Sequence, residues 1–291
     1  MLRVTNGLGR AVGTVPVVLT VADPVFVSNP ASAAKNFNDS GTFSATISGT
    51  APNFTYQWKK DGANINNGGL GGRAVVSPVG ASANTTTTLT INNLIASDAA
   101  NSAGYTVTVT DNNSSTATSA AATLSVADPV ITIPVANVIT NAGATARLKV
   151  TAAGSGTLSY TWKTNGLPIA NGLTPWGSTI SGADTDTLLI VGVTATDAKT
   201  YTAEVSGAGV AQTSSGSLSV AQITRQPTPS ALSVVAGNRT VFSVVASLTG
   251  PGSLTYQWIR NNGSSYAGQT SSTFRIDNTQ ASDADSAATS F

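Results

Sequence analysis

Three stretches decide how the chain reads: "TYQWKKDG" at 55–62, "SYTWKTNG" at 159–166 and "TYQWIRNNG" at 255–263. They are three copies of one strand. Their tryptophans, Trp58, Trp162 and Trp258, stand 104 and 96 positions apart. That period equals one β-sandwich of about 100 residues, and a repeat of this length makes the chain a tandem array of one unit.

The likeness extends outward on both sides. Downstream lie "TTLTINNLIASDAANSAGYTVTV", "DTLLIVGVTATDAKTYTAEV" and "STFRIDNTQASDADSAATSF". Each alternates apolar and polar residues, then passes an Asp and small residues, as half-buried strands joined at a corner do. Upstream, the same alternation carries Phe43, Ala45 and Ile47, then Ala146, Leu148 and Val150, then Phe242, Val244 and Ala246. No window keeps a 3.6-residue apolar period, so the fold class is all-β with almost no helix.

This pattern resembles the immunoglobulin-like fold, in the form of cysteine-free tandem Ig-like modules of large bacterial surface proteins. The carriers are the three strand-C tryptophans and the tyrosine-corner segments "SDAANSAGY", ending at Tyr105, and "TDAKTY", ending at Tyr201. The resemblance implies that Trp58, Trp162, Trp258, Tyr105 and Tyr201 are structural core. It also implies a B–F disulfide that this chain cannot make. Val107 and Ala203 stand in the F-strand slots, and Ala45, Leu148 and Val244 in the B-strand slots, so apolar packing replaces a cross-link worth about 2–4 kcal/mol.

Module boundaries follow from "LTVADPV" at 19–25, "LSVADPV" at 124–130 and "LSVAQITRQP" at 218–227, where a last strand runs into a junction. The expected modules are 23–127, 128–221 and 222–291, preceded by residues 1–22. One or two residues between modules are too few for a flexible linker.

Shifted by 105 positions, "LRVTNGLGRAVGTVPVVLTVADPV" lies without a gap on "VTVTDNNSSTATSAAATLSVADPV". Residues 1–22 therefore read as the F–G hairpin of a module whose front is elsewhere. The third module has the complementary pattern: its tryptophan, its E strand around Phe274 and Ile276 and its corner at Asp283 are present, and Phe291 stands where F begins. Three arrangements fit. The chain is a stretch of a longer covalent Ig array; or the hairpin of one copy completes the next copy head-to-tail; or the two ends close within one molecule. In the head-to-tail case the donor residues are Leu2, Val4, Val18, Leu19 and Val21, received by Trp258, Phe274 and Ile276, with Phe291 beside the neighbour's Met1. A heterologous contact of this kind propagates as an open fibre.

Composition excludes most chemistry. Of the 291 residues 9% are charged, the net charge is +1, and His and Cys are absent, which leaves no basic footprint for nucleic acid and no imidazole or thiol for catalysis. No cofactor or metal is expected, no catalytic residue stands out, and no stretch suits membrane insertion. Asp98, Asp197 and Asp283 hold one equivalent position and read as turn caps; the carboxylates of "ADTD" and "DAD" lack a Ca²⁺ loop around them. Trp176, in "TPWGST", has no counterpart in the other modules, and either stacks on a sugar ring or covers a sheet edge locally. Sequons such as "NDS" and "NRT" would accept N-glycans in a suitable host. The expectation is a non-enzymatic, extracellular or cell-surface structural protein. An adhesin or carbohydrate-binding stalk with glycan partners, or accessory modules of a secreted enzyme, are the alternatives.

Overall fold

The computed structural model describes residues 3–5, 7–9, 11–13, 22–83, 85–260 and 263–284. They divide into two compact units, Met1–Ala127 and Asp128–Phe291.

The first unit opens with a hairpin, β1 (Arg3–Thr5) and β2 (Ala11–Gly13), which pair only with each other among the described residues. A sandwich follows: β3 (Val25–Ser28), β4 (Ala33–Asn36), β5 (Gly41–Ser48), β6 (Phe54–Lys60), β7 (Ala63–Ile65), β8 (Ala74–Ser77), β9 (Thr86–Ile91), β10 (Ala100–Asp111), β11 (Thr116–Thr118) and β12 (Ala122–Ala127). In Ig terms these are A, A′, B, C, C′, D, E and F, with β11 and β12 as G. One sheet runs β3-β5-β9-β8 and the other β4-β12-β10-β6-β7. β5 shows why the sheets face each other. Phe43, Ala45 and Ile47 are 0–2% exposed while Thr42, Ser44 and Thr46 point out and face the threonines of β9. Period-two alternation buries one face and wets the other.

The slots where related folds hold a disulfide are filled by carbon. Ala45 and Val107 are both fully buried, in one cluster with Trp58, Phe43 and Tyr105. Phe43 stacks on Tyr105 at 4.5 Å between ring centroids. The buried indole of Trp58 donates Nε1–H to Thr87 Oγ1 at 3.0 Å, which removes the penalty of an unpaired donor.

The second unit repeats this plan with β13 (Val130–Ile133), β14 (Val138–Asn141), β15 (Thr145–Lys149), β16 (Thr151–Ala153), β17 (Ser159–Thr164), β18 (Leu167–Pro168), β19 (Gly172–Leu173), β20 (Thr179–Ser181), β21 (Thr187–Val191), β22 (Thr200–Ser206) and β23 (Gln212–Thr228). Trp162, Leu148 and Ala203 form the corresponding core, and Trp162 Nε1–H donates to the Thr185 carbonyl at 2.9 Å. Two further strands, β24 (Thr240–Thr249) and β25 (Thr273–Ile276), belong to the third repeat.

The "ADPV" motif does more than mark a boundary. Asp23 accepts from the backbone N–H and hydroxyl of Thr50, and Asp128 from those of Ser155, the N–H at 2.9 Å. Each clamps the turn after its own strand B. A Cβ on Gly49 would lie 2.7 Å from Asp23 Oδ1, and one on Gly154 2.8 Å from Asp128 Oδ1, so both turns need glycine. The third repeat has Gln222 and Ile223 in place of Asp and Pro. Without proline every residue there can donate to the ladder, and β23 runs unbroken from strand G of the second repeat into strand A of the third, pairing with β24 from Val220↔Thr249 onward. The expected boundary at 221–222 thus lies inside one strand.

Candidate functional site

The candidate site lies in the third repeat, where among the described residues one sheet forms and the other does not. β23, β24 and β25 pair in order, with Phe242↔Phe274 in register, and supply strands A, B and E. The strand-C segment Leu254–Arg260 belongs to no ladder, apart from one bridge between Ile259 and Ser265. In the other repeats that segment is held by strand F, with Trp58↔Val107 and Trp162↔Ala203. A second segment, Leu232–Val235, is likewise outside any strand. Its counterparts β4 and β14 pair in parallel with strand G, Ala33↔Leu124 and Val138↔Leu218. Both unformed strands are those whose partners are F and G.

What remains of the site is nonetheless ordered. Trp258 Nε1–H donates to the Ser271 carbonyl at 2.9 Å, and its ring lies 5.5 Å from Phe274, which also packs on Tyr266 and Phe242. Gln257 Nε2 donates to the Trp258 and Tyr266 carbonyls, as Gln57 does to Trp58 and Ile65 in the first repeat. The E–F corner is made as well: Asp283 accepts the Gln280 N–H at 2.8 Å, matching Asp98 with Ile95 at 2.9 Å and Asp197 with Thr194 at 2.8 Å. The sandwich is templated as far as the point where F begins.

Two apolar clefts lie beside the formed sheet. One, of about 630 Å³, is lined by Ile223, Val244, Ala246, Leu254, Tyr256 and Trp258. The other, of about 410 Å³, takes in Leu232, Val234, Phe242 and Ile276. Trp58 and Trp162 are fully buried, Trp258 is partly buried, and Val235 and Ile259 are 72% and 61% exposed. Of the sequence-derived joint residues, Trp258 packs on Phe274, while Ile276 lines the smaller cleft. Val4 lies in β1; Leu2, Val18, Leu19, Val21 and Phe291 lie outside the described residues. Sequence reasoning missed Leu232, Val234, Leu254 and Tyr256. The shared tryptophan register would have found the last two, whereas a short parallel strand leaves no period to read.

The corner aspartates, buried at Asp98 and Asp197 and half-buried at Asp283, are acceptors satisfied by unrelated donors. Asp98, 1% exposed, takes both guanidinium N–H groups of Arg73, one at 2.8 Å. Asp197, fully buried, takes Trp176 Nε1–H at 2.5 Å and the Ser178 hydroxyl at 2.9 Å, and Arg260 approaches Asp283 to 3.9 Å. Trp176 therefore spends its N–H on a corner, and Lys199 Nζ sits 4.2 Å over its ring. Tyr105 and Tyr201 donate their hydroxyls to the Asp98 and Asp197 carbonyls at 2.6 and 2.9 Å. Burial first, then the neighbouring Asp charge, pushes both phenols well above their usual 10.0.

Known families account for the two complete repeats. Residues 24–126 match the immunoglobulin I-set domain and residues 128–206 an immunoglobulin domain. Residues 24–206 are tandem immunoglobulin-like domains. Among solved structures, a titin I-band fragment, I67–I69, is 21% identical over 91% of each chain with a TM-score of 0.34. The titin I9–I11 tandem is 16% identical over 90% of this chain and 92% of its own (TM-score 0.38). The N-terminal Ig1-2 module of the Drosophila receptor protein tyrosine phosphatase DLAR is 19% identical over 68% and 99% (TM-score 0.30). No curated protein matches the chain. Among the described residues no helix is long and apolar enough to cross a membrane.

Proposed function

We propose that the chain is a non-enzymatic, extracellular structural protein, a segment of a filament built of Ig-like modules. Copies join head to tail when the hairpin at residues 1–22 of one completes the open third module of the next. The observation that carries this is a register. β1 and β2 pair Arg3↔Gly13, Val4↔Val12 and Thr5↔Ala11, and β10 and β11 pair Thr108↔Thr118, Val109↔Ala117 and Thr110↔Thr116. Every pair differs by the 105 positions that relate the two sequences. The hairpin thus has the backbone of an F–G pair while resting on no strand C.

The same shift places the donor side chains. Leu2 and Val4 take the positions of the fully buried Val107 and Val109, and Val17, Leu19 and Val21 those of Ala122, Leu124 and Val126. Val18 aligns with the exposed Thr123 and faces outward in this register. Strand F then adds to the edge at Leu254–Arg260 with Leu2 opposite Trp258, a β-augmentation in which main-chain bonds give affinity and alternate side chains give specificity. The adhesin reading draws less support, because Trp176 is engaged within its own module.

The test is assembly state against concentration. The full chain should form linear particles by sedimentation and electron microscopy, and deletion of residues 1–22 should leave monomers or amorphous aggregate. Fibres that survive the deletion would sink the proposal.

A further inference from the structure

We infer that the open module has a second docking edge, Leu232–Val235, which becomes a strand on the incoming hairpin and pairs in parallel with residues 19–22 of the neighbouring copy. The inference rests on the head-to-tail reading and adds to it the element that fixes direction and register. In both complete repeats strand G is held on its far side by A′, in one register: Leu124–Ala127 on Ala33–Asn36, and Leu218–Ala221 on Val138–Asn141. The sequences "LTVA" at 19–22, "LSVA" at 124–127 and "LSVA" at 218–221 are equivalent, so the neighbour's Leu19, Thr20, Val21 and Ala22 fall on Leu232, Ser233, Val234 and Val235.

The hydrogen bonds transfer with the register. In the complete repeats the ladder closes with Phe37 N–H on the Ala127 carbonyl and Ala142 N–H on the Ala221 carbonyl, each 2.8 Å. The counterpart donor is Ala236, and because donors alternate along a strand, Val234 is the other. Among the described residues no strand pairs with this segment. Leu232, Val234 and Val235 are 48%, 39% and 72% exposed, although Leu232 and Val234 line the smaller cleft beside Phe242 and Ile276. Three apolar side chains among four residues of a strandless segment are what a strand looks like before its partner arrives. Its flanks are already fixed: Gly237 N–H donates to the Thr279 carbonyl at 2.9 Å and Asn238 N–H to the Val235 carbonyl at 3.1 Å.

Two edges differ from one in what they select. Edge C alone could accept any extended chain in either direction. A parallel edge some two strands away, reached only by the second arm of a hairpin of the right length, admits an F–G pair in a single orientation. A free strand, or a hairpin entering backwards, cannot satisfy both.

Because the chain has no cysteine, paired cysteines read the two edges separately. Thr20→Cys with Ser233→Cys corresponds to the outward-facing neighbours Ser125 and Ala34, and Thr5→Cys with Thr255→Cys to Thr110 and Thr55. Adjacent strands put such pairs about 5 Å apart, within disulfide range. Thr20→Cys with Val235→Cys, two residues out of register, lies beyond it at roughly 8 Å. On mild oxidation both matched pairs should give a reducible ladder of multiples of the 29.1 kDa chain, and the out-of-register pair should give little. A ladder from Thr5/Thr255 without one from Thr20/Ser233, or equal yields from Ser233 and Val235, overturns the second edge and leaves the head-to-tail reading standing. No ladder from either matched pair, or a link confined to single chains, overturns both.

Discussion

Replacing each strand-C tryptophan by alanine separates a finished module from an open one. Trp58 and Trp162 are 0% exposed, ring and N–H both engaged, and truncating a fully buried aromatic costs about 3–5 kcal/mol in lost transfer energy and cavity. With a urea slope near 1.5 kcal/mol/M, each of these substitutions should lower the midpoint of its own module by roughly 2–3 M. Trp258 keeps its bond to Ser271 and its contact with Phe274, but it is only partly buried. In dilute, unjoined chain, Trp258→Ala should therefore cost only about 1–2 kcal/mol. Its larger effect falls on joining, because the incoming strand would bury the part still exposed. A further loss of about 2 kcal/mol there raises the dissociation constant about 30-fold. Far-UV circular dichroism against urea on the single variants, with sedimentation of the same proteins over a concentration series, measures both quantities. If Trp258→Ala unfolds its module as severely as Trp58→Ala does in the first, or leaves association unchanged, the third repeat is closed in solution and the reasoning fails.

Three other expectations follow from single contacts. Arg73→Ala leaves the buried Asp98 without its guanidinium and should cost about 3–5 kcal/mol, whereas Trp176→Phe removes one of several donors to Asp197 and should cost about 1–2 kcal/mol; thermal unfolding of the two variants gives the ranking. The corner phenols are held above their ordinary value by burial and by the adjacent Asp charge. The folded state thus binds those protons more tightly, so their contribution is complete below the unfolded value of about 10 and is lost as pH rises past it. Stability measured from pH 8 to 11.5 should fall along the upper part of that range, less steeply in Tyr105→Phe. Finally, Gln222→Asp with Ile223→Pro restores the motif of the first two junctions and removes a ladder donor from β23. Amides of Ala246 and Ser247, paired across from it, should lose hydrogen-exchange protection; unchanged protection would mean that β23 is held by packing alone.

Alternation and spacing in the sequence carried the sandwich itself, because period-two burial and the tryptophan interval are local and repeated. Phe43, Leu148 and Trp162 all point inward as their patterns require. The corners were half legible. Three aspartates shared one position, but their donors, Arg73, Trp176 with Ser178, and Arg260, come from different places in each repeat and meet only in three dimensions. Trp176 could be read either as a sugar platform or as a local edge cover because its partner Asp197 lies 21 positions away. Strand A′ was invisible for another reason: four residues of parallel pairing carry no periodicity, and Leu232–Val235 declares itself only beside β4 and β14.

On the head-to-tail reading, the choice of the E–F corner as the joint follows from which contacts are local. Strands A, B and E form one sheet whose ladder is complete without F or G, and the capped corner at Asp283 fixes the end of that half with bonds three residues apart. β1 and β2 likewise pair with each other in register. The proposed joint then asks for two strand edges on the third repeat, C and A′, and the outer flanks of the hairpin on the other side. A cut elsewhere, within B or between C and E, would strand donors in the middle of a sheet, at a few kcal/mol for every buried group left unpaired. On that reading the corner is where a covalent link is exchanged for two strand edges, C and A′, that form when the neighbour's hairpin arrives.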